Sequence, residues 1–290
     1  MMQSFTRQPF TFGRIALYAM LLLLALYYIA PLYVMLSTSF KSMDELREGN
    51  LLSLPHSWNG RAWAKAWSSA CTGVTCEGLQ PFFWNSVKMV VPSVLISTVV
   101  GALNGYVFAH WRFRGAEALF AALLVGCFIP FQVVILPMAG VLGRINLAGT
   151  TTGLVLVHVV YGIAFTTLFF RNYYVSVPEE LIKAARIDGA GFFLIFRKIV
   201  LPISGPTFVV SIIWQFTQIW NDFLFGVVFT GGQAAPVTVA LNNLVNTTTG
   251  VKEYNVDMAA AIIAAAPTLL VYLIAGRYFV RGLTAGSVKG

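Results

Sequence analysis

Stretches of about twenty apolar residues alternate with more polar ones along this chain. The first apolar run, Ile15 to Leu36, opens behind Arg14 and is about 22 residues long. At about 1.5 Å per residue, that length crosses a hydrocarbon layer of about 30 Å. A secretory signal begins in the same way, but its apolar core is only about 7–15 residues and ends in a small-residue cleavage site, so this run reads as an uncleaved span. Five more runs follow, at about Phe82 to Ala109, Ala118 to Met138, Gly153 to Phe170, Thr207 to Thr230 and Ala259 to Phe279. Hydrocarbon offers no partner to a free backbone N–H or C=O, so every span is expected to be helical. Pro130 and Pro137 fall inside the third run and predict kinks there. The expected fold is an all-α integral membrane protein whose six transmembrane helices fill residues 14–281, with short ends at 1–13 and 282–290. A polar outer loop is expected at 37–81 and a charged hairpin at 176–206, between the fourth and fifth spans.

That hairpin, Ser176 to Pro206, is the one long stretch that combines charge of both signs with a helical apolar rhythm. Ser176 and Glu179 have the spacing of a capping box, and Pro178 suits a first helical turn, where its missing N–H costs nothing. The first helix is expected to run through Leu181, Ala184, Ala185 and Ile187 and to stop at Asp188-Gly189, where glycine permits a left-handed turn. Phe192, Ile195, Phe196 and Ile199 then make one apolar stripe, which Leu201-Pro202 is expected to end. Such an amphipathic hairpin suits a groove on a partner. The alternative is a surface hairpin with no partner.

Lys183-Ala184-Ala185, three residues, Gly189, nine residues, Ile199, one residue and Leu201-Pro202 together resemble the EAA loop of ABC importer permeases, EAA-x3-G-x9-I-x-LP. Every spacing is kept, and one letter changes: Lys183 stands where the family has Glu. IPFQVVILP in the third span, WNDFLFG from Trp220 to Gly226, and the closing RYFVRGLTAGSVKG resemble the carbohydrate-uptake branch of that family, of the maltose permease G-subunit kind. The likeness extends over most of the chain from about Arg14.

This resemblance implies a cytoplasmic coupling helix seated in a cleft of an ATP-binding subunit, with Glu179, Glu180, Lys183, Ala184, Ala185, Asp188, Gly189, Ile199, Leu201 and Pro202 as the coupling residues. The charge reversal at Lys183 leaves two alternatives. Either Glu179 or Glu180, about one turn earlier, takes over the pairing, or the partner has changed sign. The resemblance also implies a second permease subunit, two ATP-binding subunits that hold the ATP and Mg, and a periplasmic or extracellular sugar-binding protein. The tail from Arg281 would run towards the ATP-binding dimer.

Composition agrees with a life in lipid. The chain has 290 residues, 58% hydrophobic and 10% charged, whereas soluble domains are about a quarter charged. The Gly-Lys-Ser/Thr that ends a P-loop occurs nowhere, so ATP hydrolysis would belong to another chain. Alternate loops carry unequal positive charge. Arg7, Arg14, Arg112, Arg114, Arg171, Lys183, Arg186, Arg197, Lys198, Arg277, Arg281 and Lys289 lie on one side, and six Lys or Arg lie on the other. The positive-inside rule then places both termini and the hairpin in the cytoplasm of a bacterial inner membrane. The net charge of +8 needs no nucleic acid to explain it.

Cys71 and Cys76 fall in the outer loop, where an oxidising space permits either a disulfide or two free thiols. No His or second Cys pair stands close enough to suggest a metal site. In the fifth span Ser211, Gln215, Gln218 and Asp222 recur on one helical face, with Asn221 beside them and Trp214 and Trp220 flanking. Lipid penalises such a face, so it borders either a substrate path or a neighbouring helix. Amides and a carboxylate can hydrogen-bond sugar hydroxyls, and indole rings can cover a pyranose face. Ser93, Ser97 and Gly101, spaced by four, read as a seam for close helix contact. His158 reads as a packing residue, Cys127 as a small core residue, and no catalytic set can be argued from spacing. An ion-coupled secondary carrier is the rival class, but it calls for several intramembrane ionisable residues and inverted repeats. The sequence withholds the sugar itself: glucose or mannose is the first expectation, but a disaccharide, a longer oligosaccharide or a glycerol phosphate would use much the same permease.

Overall fold

The computed structural model describes residues 11–111, 113–246 and 252–285, with side chains as far as Gly276 in the last helix. Arg7, Arg112, Lys289 and most of the terminal tail therefore lie outside the described residues, as do the side chains of Arg277 and Arg281.

Helix α1 (Phe12–Phe40) leads into the outer loop, where α2 (Met43–Glu48) and α3 (Arg61–Ser68) precede α4 (Gln80–His110). A bent pair follows, α5 (Ala116–Phe128) and α6 (Phe131–Arg144), and then α7 (Thr151–Tyr174). The hairpin consists of α8 (Glu179–Ile187), α9 (Phe192–Ile195), a π-wound turn (Phe196–Val200) and α10 (Leu201–Ile203). Helix α11 (Gly205–Trp220), α12 (Leu224–Phe229), α13 (Val237–Asn246) and α14 (Tyr254–Ala285) complete the fold. Among the described residues four helices are long and apolar enough to cross a membrane alone, and the spans number six when each of two bent pairs is counted as one.

The two bent pairs depart from the expectations. The third run is broken where only a kink was expected, with α5 and α6 meeting at 103°. Ile129 precedes Pro130, whose ring excludes the helical region for its neighbour, and Ile129 is accordingly extended (φ −65°, ψ 123°). In the hairpin, Leu201-Pro202 does not end the second helix. Pro202 has no N–H to offer, and its ring crowds the preceding turn. That turn widens into the π wind and the helix runs on to Ile203, after which the chain bends by 78° into α11. The fifth span stops at Trp220 and restarts at Leu224, short of the expected continuous run to Thr230.

The capping box is also absent. The Ser176 hydroxyl donates to the Tyr173 carbonyl at 2.6 Å, and Pro178 immediately precedes the first helical turn. A capping box does form elsewhere, between Ser42 and Glu45 at the start of α2. At the other end of α8, Gly189 takes the left-handed conformation with φ +81°.

Helices α4 and α7 form the close-packed centre. Ser93, Ser97, Gly101 and Gly105 make a stripe of small residues along α4, all buried. A Cβ on Gly101 would stand 2.1 Å from Thr166 Oγ1, and one on Gly105 would stand 2.6 Å from Phe170 Cβ. The absence of these methyl groups lets the backbones approach. Thr166 Oγ1 donates to the Ser97 carbonyl at 2.8 Å, tying the helices together. Below this seam, Tyr106, Phe170 and Tyr174 form a second apolar cluster with Ile182, Ala185, Ile195 and Val200 of the hairpin. The Tyr173 hydroxyl donates to the Ile203 carbonyl at 2.6 Å, so the hairpin is also pinned by a hydrogen bond.

The outer loop is ordered by local chemistry. Cys71 and Cys76 are joined by a disulfide. Lys41 is buried, and its ammonium donates to the Asn50 carbonyl and to Ser53 Oγ, each at 3.1 Å. Lys65 of α3 pairs with Glu253, which fastens the loop to the approach of α14.

Candidate functional site

A cavity of about 290 Å³ opens where the broken third span, α7 and α11 converge. From α11 and the turn after it come Trp214, Gln215, Gln218 and Asp222; α7 supplies His158, Tyr161 and Phe165. Cys127, Ile129 and Phe131 close the side at the break between α5 and α6.

Asp222 is held in place by the start of α12, accepting from Gly226 N at 3.1 Å and Phe225 N at 3.3 Å. Its side chain retains 17% exposure, and one carboxylate oxygen lies 3.7 Å from His158 Nε2. His158 is buried, with 6% exposed, and Nε2 has no hydrogen-bond partner in the protein. Trp214 packs on Phe165 with ring centroids 4.7 Å apart. The wall is thus chiefly aromatic with a few convergent polar groups, the usual make-up of a small-molecule cleft.

The polar face of α11 is divided between two tasks. Gln218 is exposed and faces the cavity with Asp222. Gln215 borders the cavity too, but it is buried, and its Nε2 donates to Ser97 Oγ at 2.8 Å. Gln215 therefore joins α11 to the α4–α7 seam. Ser211 is fully buried and does not line the cavity. Asn221 is exposed and points away, with Nδ2 on the Thr217 carbonyl at 2.9 Å. Trp220 is no flanking ring of this site. It is buried in the core, stacked on Phe216, with its indole N–H on the Ala264 carbonyl at 2.8 Å.

His158, expected as a packing residue, is buried and packs on the Phe225 ring, and it also lines the cavity. An ionisable side chain within a span was itself the signal. The contributions of Cys127, Ile129 and Phe131 depend on the 103° break, and nothing in the hydrophobic pattern reports its angle.

The hairpin presents a second surface. Glu179 and Lys183 pair at 3.0 Å, one turn apart, each about 60% exposed. Glu180, Ala184 and Asp188 are exposed beside them, as are Leu201 and Pro202. Ala185 is buried and Ile199 half-buried, turned towards the rest of the protein. Of the larger apolar side chains on α8, Ile182 is buried like Ala185, whereas Leu181 and Ile187 are 47% and 86% exposed. Arg186 lies over the Trp111 ring at 4.7 Å and donates to the His110 carbonyl at 3.1 Å, holding α8 to the end of α4.

Residues 87–284 match the family of binding-protein-dependent transport system inner membrane components. The chain belongs to that family. It is a multi-pass permease, the non-catalytic membrane subunit of an ABC transporter. The permease is 46% identical over 180 residues to a probable ABC transporter permease of Pyrococcus horikoshii, an alignment covering 62% of this chain and 65% of that one. It is 31% identical to a xylose/arabinose import permease of Haloferax volcanii, across 93% of this chain and 92% of the relative. The fold is also that of a chain in a bacterial ABC transporter involved in the import of the acidic polysaccharide alginate. The TM-score there is 0.77 at 20% identity, covering 94% of the permease and 100% of that chain. Membership of this family replaces the ion-coupled carrier as the working class, and other ABC components, an ATPase and a permease, are its partners.

Proposed function

We propose that this permease carries a sugar inward as part of an ATP-driven importer, lining the translocation path with the cavity between α7 and α11. The observation that carries the reading is the chemistry of that cavity. It sets Asp222, Gln218 and His158 beside the rings of Trp214, Tyr161 and Phe165 in one cleft, where polar groups can fix hydroxyls and aromatic faces can cover a sugar ring. The sugar-importing relative of similar length supports the substrate class.

Two ATP-binding subunits hold the ATP and Mg, a second permease completes the path, and a periplasmic or extracellular sugar-binding protein delivers the cargo. Both termini and the hairpin lie in the cytoplasm. Glu179, Glu180, Lys183, Ala184, Ala185, Asp188 and Gly189, with Ile199, Leu201 and Pro202 behind them, form the element that transmits ATP-driven closure. Because Glu179 already pairs with Lys183, Glu180 is the carboxylate that meets the ATPase in place of the motif's glutamate.

The test is ATP-dependent sugar uptake by the complete importer in liposomes. The Asp222→Asn, Gln218→Ala double variant is expected to insert normally and to lose at least tenfold in uptake. Wild-type uptake in that variant would count against the path. A chain that purifies alone and transports without ATP would move the assignment to an ion-coupled carrier.

A further inference from the structure

The charges around the cavity set a condition on the cargo that the family does not. Asp222 supplies a carboxylate to the wall, and no Lys or Arg is among the described residues that line it. The carboxylate is fixed by backbone N–H groups of Phe225 and Gly226, so it cannot swing away from an approaching solute. Close by, 3.7 Å from the Asp222 carboxylate, His158 Nε2 is buried and makes no hydrogen bond within the protein. A buried polar atom left unmade is costly, and a ligand hydroxyl that reaches it gains what the protein does not supply. An anionic solute would instead meet a like charge with no Lys or Arg in the described lining to offset it, and such a juxtaposition discriminates strongly between otherwise similar ligands.

We propose that this cavity is a selectivity site for neutral sugars, in which His158 Nε2 and Gln218 contact hydroxyls while Asp222 rejects uronates and sugar phosphates. The proposal rests on the transport reading above and narrows it. It separates this permease from a neighbour of the same fold whose transporter imports an acidic polysaccharide. Glycerol phosphate, which the sequence left open, is excluded by it.

The cavity carries its own reporter. Cys127 lines it and is a free thiol, whereas Cys71 and Cys76 are bonded to each other. The complete importer in nanodiscs would be treated with N-ethylmaleimide, and labelling of the Cys127 peptide followed by mass spectrometry. The protectants are xylose and methyl glucoside on one side and glucuronate and glycerol 3-phosphate on the other. Neutral sugars are expected to protect at concentrations at least tenfold below the anions, which corresponds to about 1.4 kcal/mol.

Asp222→Asn removes the charge and keeps an oxygen acceptor for one of the two α12 N–H groups. It is expected to bring the two classes within about threefold of each other. His158→Phe, which fills the same space without the nitrogen, is expected to weaken protection by neutral sugars about tenfold. Equal protection by glucuronate in the native chain would overturn the proposal, as would an undiminished gap in Asp222→Asn. A Cys127 that never labels, or that no solute protects, would overturn it as well, and would leave the transport reading to be decided by ATP-dependent uptake.

Discussion

Gly101→Ala asks the α4–α7 seam to accept one methyl group. Its Cβ would fall 2.1 Å from Thr166 Oγ1, 2.4 Å from Thr166 Cβ and 2.8 Å from the Thr166 carbonyl carbon. The first contact could be relieved by a rotamer change, but the last is backbone, so the helices must part. Overpacking of this kind costs about 1–3 kcal/mol. Parting also strains the hydrogen bond from Thr166 to the Ser97 carbonyl, a class of interaction worth about 0.6 kcal/mol within membranes. The internal control is Gly126→Ala in α5, where a Cβ would meet nothing within 4 Å. There the helix should gain about 0.5–1 kcal/mol from the lower backbone entropy of alanine. The propensity gain is common to the two substitutions, both at helical glycines, and cancels in the comparison, so the overpacking and hydrogen-bond contributions leave a difference of about 2–4 kcal/mol. At about 2–4 °C per kcal/mol, their midpoints should separate by roughly 4–16 °C. The assay is stepwise heating in mild detergent followed by size-exclusion chromatography of what remains monodisperse. Equal midpoints for the two variants would refute close backbone approach as the reason for glycine at position 101.

Three further outcomes are expected. Gly189→Pro cannot reach the φ of +81° found there, so uptake should be lost while ATP hydrolysis and insertion persist; coupled uptake at the native level would remove the hairpin from transmission. Lys183→Glu restores the motif letter but places a like charge one turn from Glu179, its present partner at 3.0 Å. The stability change should be only about 0.2–0.5 kcal/mol, so a large fall in uptake at unchanged hairpin proteolysis would locate a charged partner at this position, and no change would refute one. In non-reducing mass spectrometry Cys71 and Cys76 should resist alkylation until reduced, and Cys71→Ser should lower stability by about 2 kcal/mol on the chain-entropy account for so short a loop; two thiols that alkylate without reduction would overturn the bond.

The spans were legible because their signal is additive. Each is long and apolar enough that a boundary error of a few residues changes nothing, and α4 and α7 lie where the hydrophobicity placed them. The seam could also be read, since Ser93, Ser97 and Gly101 repeat at the spacing of one helical face. The breaks were harder. A proline in an apolar run announces a disturbance, but whether Ile129-Pro130 yields a kink or a 103° turn depends on what packs against either arm. Side-chain direction failed in the same way. Trp214 and Trp220 are both aromatic residues on α11, yet one lines the cavity and the other donates to Ala264 in the core. Helical spacing separates them by face, but only the neighbours decide which face is wet.

Helix α7 connects every part of this arrangement, and its sequence reflects three different demands. His158 and Tyr161 meet the cavity, Gly162 and Thr166 meet α4, and Phe170 and Tyr174 meet the hairpin. From His158 to Tyr174 is sixteen residues of one unbroken helix, about 24 Å at the α-helical rise. Interdigitated helices do not deform continuously, so a displacement imposed on Tyr174 by α8 is carried along α7 as a movement of the whole element. Gly162 is where that movement meets the polar lining: a Cβ there would stand 2.1 Å from Gln215 Nε2 and 2.8 Å from Ser97 Cβ. The bond from Gln215 to Ser97 therefore depends on how closely α7 lies against α4 and α11. A shift of α7 large enough to break this bond would free an amide at the cavity wall, and would in that way couple hairpin position to cavity chemistry through a single helix.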